Sequence, residues 1–300
     1  MSEAPKMSDE QMAMFRRMVL PTIFDPSYIK RKFLDVQYGT LPEQKLDVYL
    51  PDEGDGPFPL IIYVHGGGWS MGSKVEGSLP CIIDALKSGY AVISVDYRLA
   101  PATKFPEFLF DVKTAVRWAR ANAKEYLFDP DRFGMIGDSA GGHLTLMVGF
   151  TADHPEYEGE QYGWPGVSSA VQAIVDMYGP SILTADNAEF LKENGMPARQ
   201  APLGPSIFDT SFTPDKRMLE LISPITYVHR KIPPTMIQQG GSDPIVPKQH
   251  STILAEKIEK MCGKDRVELH LYPERTHSDG AFMTSENCAE VLVFFDKYLK

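Results

Sequence analysis

Two glycine-framed motifs, about 70 residues apart, carry the chemistry of this chain. They are His65-Gly66-Gly67-Gly68-Trp69 and Gly137-Asp138-Ser139-Ala140-Gly141. The second fits G-x-S-x-G, a serine on a sharp turn between a strand and a helix. Glycines two before and two after the serine keep side chains out of a turn where a Cβ would clash. The first motif is a glycine run whose backbone N–H groups can point at a developing oxyanion. One motif offers a nucleophile and the other offers charge stabilisation. Together they describe acyl transfer.

A serine needs a base, and the base needs an acid to orient it. Of the histidines after Ser139, His154 precedes every suitable acid, His229 lies before a strand, and His250 opens a helix. His270 alternates with Val267, Leu269 and Leu271 inside a strand and is expected to face outward. His277 lies in a loop between the last strand and the last helix, at the sheet edge where the serine turn ends. It is the expected base. Asp243 follows a strand in Gly240-Gly241-Ser242-Asp243-Pro244 and is the expected acid, with Asp176 as its rival at the end of an earlier strand. Asp279 is too near His277 in sequence and is expected to cap the final helix. Asp138 is expected to brace the turn.

These residues require strands that stop where loops begin. Two alternating runs, 33–38 and 45–50, form an opening hairpin. Apolar strands then follow at 59–64, 90–96, 132–136, 171–177, 235–239 and 267–272. Helices are expected at 75–88, 107–123, 140–150, 248–261 and 281–299. Continuous apolar strands separated by helices mean a mostly parallel sheet covered on both faces, where sites form at strand ends. The whole of 1–300 reads as a single α/β domain. Residues 1–30 carry a Met-rich helical segment at 9–19. Residues 180–222, rich in Pro, Gly, Asn and Asp, read as a cap-like insertion that shapes a pocket.

Composition narrows the classes. A formal net charge of -10, from 40 acidic and 30 basic residues, argues against nucleic acid or an anionic membrane. No run of 18 apolar residues exists, so no membrane insertion is expected. The polar start Met1-Ser2-Glu3-Ala4-Pro5-Lys6 lacks the apolar core of a signal peptide, and a cytoplasmic location is expected. The cysteines, Cys81, Cys262 and Cys288, are odd in number and lack C-x-x-C spacing, which suits free thiols in a reducing compartment. A Cys262–Cys288 bridge is the less favoured reading. Neither a metal nor a cofactor is expected.

The chain resembles the hormone-sensitive-lipase-like branch of the α/β-hydrolase esterases, in particular bacterial esterase/lipase proteins of the feruloyl- and acetylxylan-esterase-like group. The resemblance runs from about Phe33 to the C-terminus. It rests on His65-Gly66-Gly67-Gly68-Trp69, Asp96-Tyr97-Arg98-Leu99-Ala100-Pro101, Gly137-Asp138-Ser139-Ala140-Gly141-Gly142-His143 and Ser242-Asp243-Pro244-Ile245-Val246-Pro247. It implies an α/β-hydrolase fold with a small cap, and oxyanion donors at the backbone of Gly67, Gly68 and Ala140, with His65 bracing its loop. One departure is Ser278-Asp279 after the base, where the family often has Gly-Phe.

The expected activity is a serine carboxylesterase with Ser139, Asp243 and His277. Its substrate would be a small-molecule ester, short-chain or an acetyl or feruloyl ester of a sugar. Trp69 and Tyr97 are candidate pocket residues, with Phe105, Phe108, Phe190, Phe208 and Phe212 behind them, at least half of these as core. Homo-oligomer formation is left open. Alternatives are an amidase, arylformamidase or exopeptidase of the same fold, although peptidase relatives usually add a large extra domain. A ligand-binding protein that lost catalysis is the remote alternative.

Overall fold

The computed structural model describes residues 23–152, 154–183 and 216–300. The expected helix at 9–19, most of the 180–222 insertion, and Phe190, Phe208 and Phe212 lie outside the described residues.

Among the described residues, eight strands form one sheet: β1 (Lys32–Gln37), β2 (Lys45–Tyr49), β3 (Phe58–Val64), β4 (Ala91–Val95), β5 (Phe128–Asp138), β6 (Ala173–Met177), β7 (Thr235–Gly240) and β8 (Val267–Tyr272). Their order is β1-β2-β4-β3-β5-β6-β7-β8. The β1/β2 and β2/β4 pairs are antiparallel, and the remaining pairs are parallel. The helices are α1 (Leu79–Ile83), α2 (Glu107–Ala121), α3 (Ala140–Phe150), α4 (Lys216–Leu221), α5 (Gln249–Cys262) and α6 (Ser285–Leu299). This is an α/β-hydrolase fold.

The apolar runs are continuous because both sheet faces are covered. All seven residues of β3 are buried. Leu60, Ile62 and Val64 pack in one core with Leu109, Val116 and Leu144 of α2 and α3. Ile61 and Tyr63 point the other way, into a second core with Leu79 of α1 and Val291 and Phe295 of α6. Each such side chain contributes about 1.5–3 kcal/mol when fully buried. A period-2 strand between two helical layers therefore reads as unbroken hydrophobicity.

The Asp96–Pro101 motif has a physical role. The Asp96 carboxylate accepts from the Lys74 N–H (2.7 Å), and the Tyr97 hydroxyl donates to the His65 carbonyl (3.0 Å). Arg98 grips Asp111 of α2 with two N–H groups, at 2.8 and 2.7 Å. Gln44 donates to the same carboxylate at 2.7 Å. The end of β4 is thereby tied to the loop after β3 and to α2. Asp111 is fully buried, so a bidentate guanidinium is the partner its charge requires.

Several expectations need correction. The helix expected at 75–88 is a short α1 followed by a 3-10 turn at Asp84–Ser88. Its first turn is lost because Tyr63 takes the Ser78 N–H (2.7 Å), and Pro80 then sits in the opening turn. Asp279 does not cap the last helix. It accepts from Ala281 at the head of the 3-10 turn Gly280–Met283, and Thr284 caps α6. On β8, Leu269 and Leu271 are 37% and 38% exposed, because β8 is an edge strand with β7 as its partner. His270 keeps the partial exposure expected of it and lies 3.6 Å from the exposed Glu290 of α6.

The cysteine expectation also fails. Cys81 and Cys288 form a disulfide across a Cα–Cα distance of 5.5 Å, joining α1 to α6, and Cys262 is the free thiol. The two cysteines are 207 residues apart in sequence but adjacent in the second core, which spacing alone cannot show. The cysteine count therefore no longer speaks for a reducing compartment. No helix among the described residues is long and apolar enough to cross a membrane.

Replacing Cys81 and Cys288 together by Ser should lower unfolding stability by about 2–5 kcal/mol. Urea denaturation would measure it, and a non-reducing peptide map should show the Cys81–Cys288 link directly.

Candidate active site

Ser139 occupies a turn of a single residue. β5 ends at Asp138 and α3 begins at Ala140, so strand becomes helix across the serine. Its backbone is strained, at φ 53° and ψ -116°. The Ser139 N–H donates to the Met177 carbonyl at the end of β6 (2.8 Å), and its own carbonyl accepts from His143 (3.0 Å). The flanking glycines are steric necessities. A Cβ on Gly141 would stand 2.1 Å from the Val64 carbonyl oxygen, and one on Gly137 would stand 2.3 Å from that of Gly141.

His277 arrives from the loop after β8. Its Nε2 lies 2.9 Å from the Ser139 Oγ, and its Nδ1 lies 2.7 Å from an Asp243 carboxylate oxygen. With the Nδ1 proton given to Asp243, Nε2 is the acceptor facing the serine hydroxyl. The ring stands edge-on to Tyr178, centroids 4.9 Å apart. Asp243 is itself held. One oxygen accepts the N–H groups of Ile245 and Val246, both at 2.8 Å, and the other accepts from Gln239 at 3.2 Å. Ser139, Asp243 and His277 are buried to 7%, 7% and 3% exposure, so these bonds act in a partly water-excluded setting.

Asp176, the rival acid, is elsewhere. Its Oδ1 accepts from the Gly179 N–H (2.9 Å), and its other oxygen is buried with no partner among the described residues. Burial holds its carboxyl well above the usual carboxylate range.

The glycine run after β3 lies against the serine. A Cβ on Gly66 would stand 3.3 Å from the Ser139 Cβ. Gly67 has φ 112° and Gly68 has φ 58°. The Gly67 carbonyl accepts from Ser70 and Met71, both at 3.1 Å, which tightens the turn. Ala140 is the first residue of α3, where helix N–H groups lack intrahelical partners. His65 stacks on Tyr97 (4.4 Å, 12°), and burial pushes its pKa down to about 4. It is neutral at neutral pH and supports its loop.

The two candidate pocket residues are occupied within the protein. Trp69 is buried and donates its indole N–H to His143 Nδ1 (3.3 Å); His143 Nε2 contacts the Ile222 carbonyl (2.7 Å). Tyr97 is buried against His65. Neither is carried forward as a substrate contact. Phe108 is core, and Phe105 packs against it. Sequence reasoning missed Gln239, Tyr63 and Tyr178. Gln238 and Gln239, two amides inside a buried strand, were the available signal for the first.

A family model described as BD-FAE matches residues 46–258. The chain belongs to the BD-FAE family. It falls in the hormone-sensitive-lipase-like branch of the α/β-hydrolase esterases, as the motifs implied. This BD-FAE chain is 32% identical to Esterase LipC of Mycobacterium tuberculosis over 238 residues, 77% of this chain and 55% of LipC. It spans about half the length of the curated relatives it matches. Among solved structures, a truncated form of a carbohydrate esterase from gut microbiota superposes with a TM-score of 0.79 at 26% identity, covering 92% of this chain and 99% of the other. An acetyl ester-xyloside bifunctional hydrolase from Caldicellulosiruptor lactoaceticus gives 0.67 at 26% identity, covering 91% and 90%.

Gly141→Ala should destabilise the fold by about 2–4 kcal/mol, since the clashing atom is backbone and cannot swing away. Chemical denaturation would measure the loss, and Gly280→Ala, with open space around it, is the control.

Proposed function

We propose that this chain is a serine carboxylesterase that acts through an acyl-enzyme on small esters. The observation that carries the reading is the unbroken line from Ser139 Oγ to His277 (2.9 Å) to Asp243 (2.7 Å), built from three different loops. Ser139 attacks the ester carbonyl while His277 Nε2 takes its proton. Asp243, held by Ile245, Val246 and Gln239, keeps the imidazole oriented and stabilises the imidazolium. The tetrahedral oxyanion rests on the N–H groups of Gly67, Gly68 and Ala140, each worth about 3–4 kcal/mol where such donors have been removed. His277 then protonates the leaving alcohol, and water releases the acid by the same steps in reverse.

Acetyl or feruloyl esters of sugars are the proposed substrate class. Support comes from the carbohydrate esterase and the acetyl ester-xyloside hydrolase that share this fold at 26% identity. The 180–222 stretch is proposed as the cap that shapes the pocket. The ends of this stretch are fastened together: Leu183 donates to Ser223 Oγ (2.8 Å) and Ile225 to the Ser181 carbonyl (3.1 Å). His143 of the nucleophile helix contacts Ile222, so the stretch returns beside α3. Residues 1–30 are proposed as a segment accessory to the 1–300 domain.

Ser139→Ala should lower p-nitrophenyl acetate turnover by about 10⁴-fold or more, with an unchanged circular dichroism spectrum. Retained turnover would sink the assignment. Across p-nitrophenyl esters of rising chain length, kcat/KM should peak at acetate to butyrate, and acetylated xylo-oligosaccharides should be deacetylated. A maximum at long chains would overturn the substrate class.

A further inference from the structure

Asp138 stands immediately before the nucleophile and is 1% exposed. Its Oδ1 accepts the Tyr63 hydroxyl at 2.6 Å, a short charge-assisted bond. Tyr63 is fixed in turn by the Ser78 N–H (2.7 Å). A Cβ on Gly66 would stand 2.7 Å from the other carboxylate oxygen, so Asp138 lies directly beneath the glycine run. Among the described residues, four titratable groups act on or feel this carboxylate. They are Tyr63 from β3, Tyr97 after β4, Tyr178 after β6, and His277 from the loop after β8. His277 is the cationic partner in that set once it holds a proton.

We propose that Asp138 is a positioning residue of this site, a second carboxylate whose charge, held by Tyr63 under the glycine run, favours the imidazolium that His277 becomes during acyl transfer. The inference rests on the esterase reading for its kinetic consequence, but not for its electrostatic one. Burial pushes the Asp138 pKa up to about 6, with the Tyr63 bond and the His277 charge drawing it back down. The folded chain thus holds this proton more tightly than the unfolded chain. Its contribution to stability therefore falls as pH rises from about 4 through 6. A carboxylate that costs stability at neutral pH, one residue from the nucleophile, is placed for electrostatics more than for folding. Below pH 6 Asp138 takes up a proton, and the charge that supports the imidazolium is lost.

The test has two readouts. In kcat/KM against pH with p-nitrophenyl acetate, the wild-type acid limb should be steeper than one proton. Asp138→Asn should lose about ten-fold at pH 8 and fall with a one-proton slope. Tyr63→Phe removes the bond that favours the carboxylate, so its acid limb should break about one unit higher. A uniform loss at every pH, with unchanged slope in both variants, would mean a purely structural role and overturn the proposal. Independently, the Asp138 side-chain carboxyl carbon should titrate near pH 6 by NMR and move upward in His277→Ala. An unmoved midpoint would also overturn it. If the wild type hydrolyses no ester at any pH the esterase reading falls, and the carbon titration still decides the Asp138 claim.

Discussion

The site depends on how closely a helix can approach the strand that feeds it. Between Asp138 at the end of β5 and Ala140 at the start of α3 there is room for one residue, and that residue is Ser139 in a strained conformation. Gly137 and Gly141 permit the approach because any larger residue would strike backbone oxygen. The strain is held by hydrogen bonds at both ends, to Met177 before the turn and from His143 after it. The sheet then supplies the rest. Parallel strands all end on one side, so the loops after β3, β5, β7 and β8 meet there without any long excursion.

Buried charge is the second organising constraint. Asp111, Asp138 and Asp243 are each taken out of water, and each is given a different set of donors. Asp111 receives a guanidinium, which makes it a structural clamp between β4 and α2. Asp243 receives backbone N–H groups, an amide and the imidazole, which leaves it committed to one orientation. Asp138 receives a phenol, and the nearby positive charge forms when His277 is protonated. Three carboxylates of the same chemistry thus differ in what they can do because their partners differ.

Much of this was legible from residue order. The strand ends, the serine turn and the downstream Asp243 and His277 follow from apolar runs and from glycine placement, which are local signals. Boundaries shifted where a side chain from another strand intervened, as when Tyr63 claimed the Ser78 N–H and shortened α1. The Cys81–Cys288 bond was illegible for the same reason, since proximity in the second core is a property of the whole sheet. So was the fate of Trp69 and Tyr97, whose exposure depends on what packs over them. Leu269 and Leu271 misled because alternation reports two faces but not whether a strand lies at an edge.

The central claim is that Ser139 is a nucleophile made reactive by His277. Mass spectrometry after exposure to a fluorophosphonate tests it most directly. One phosphonyl adduct should form per chain, on the peptide carrying Ser139, and His277→Ala should suppress its formation. An unlabelled chain, or an adduct on another residue with Ser139 untouched, would contradict the account.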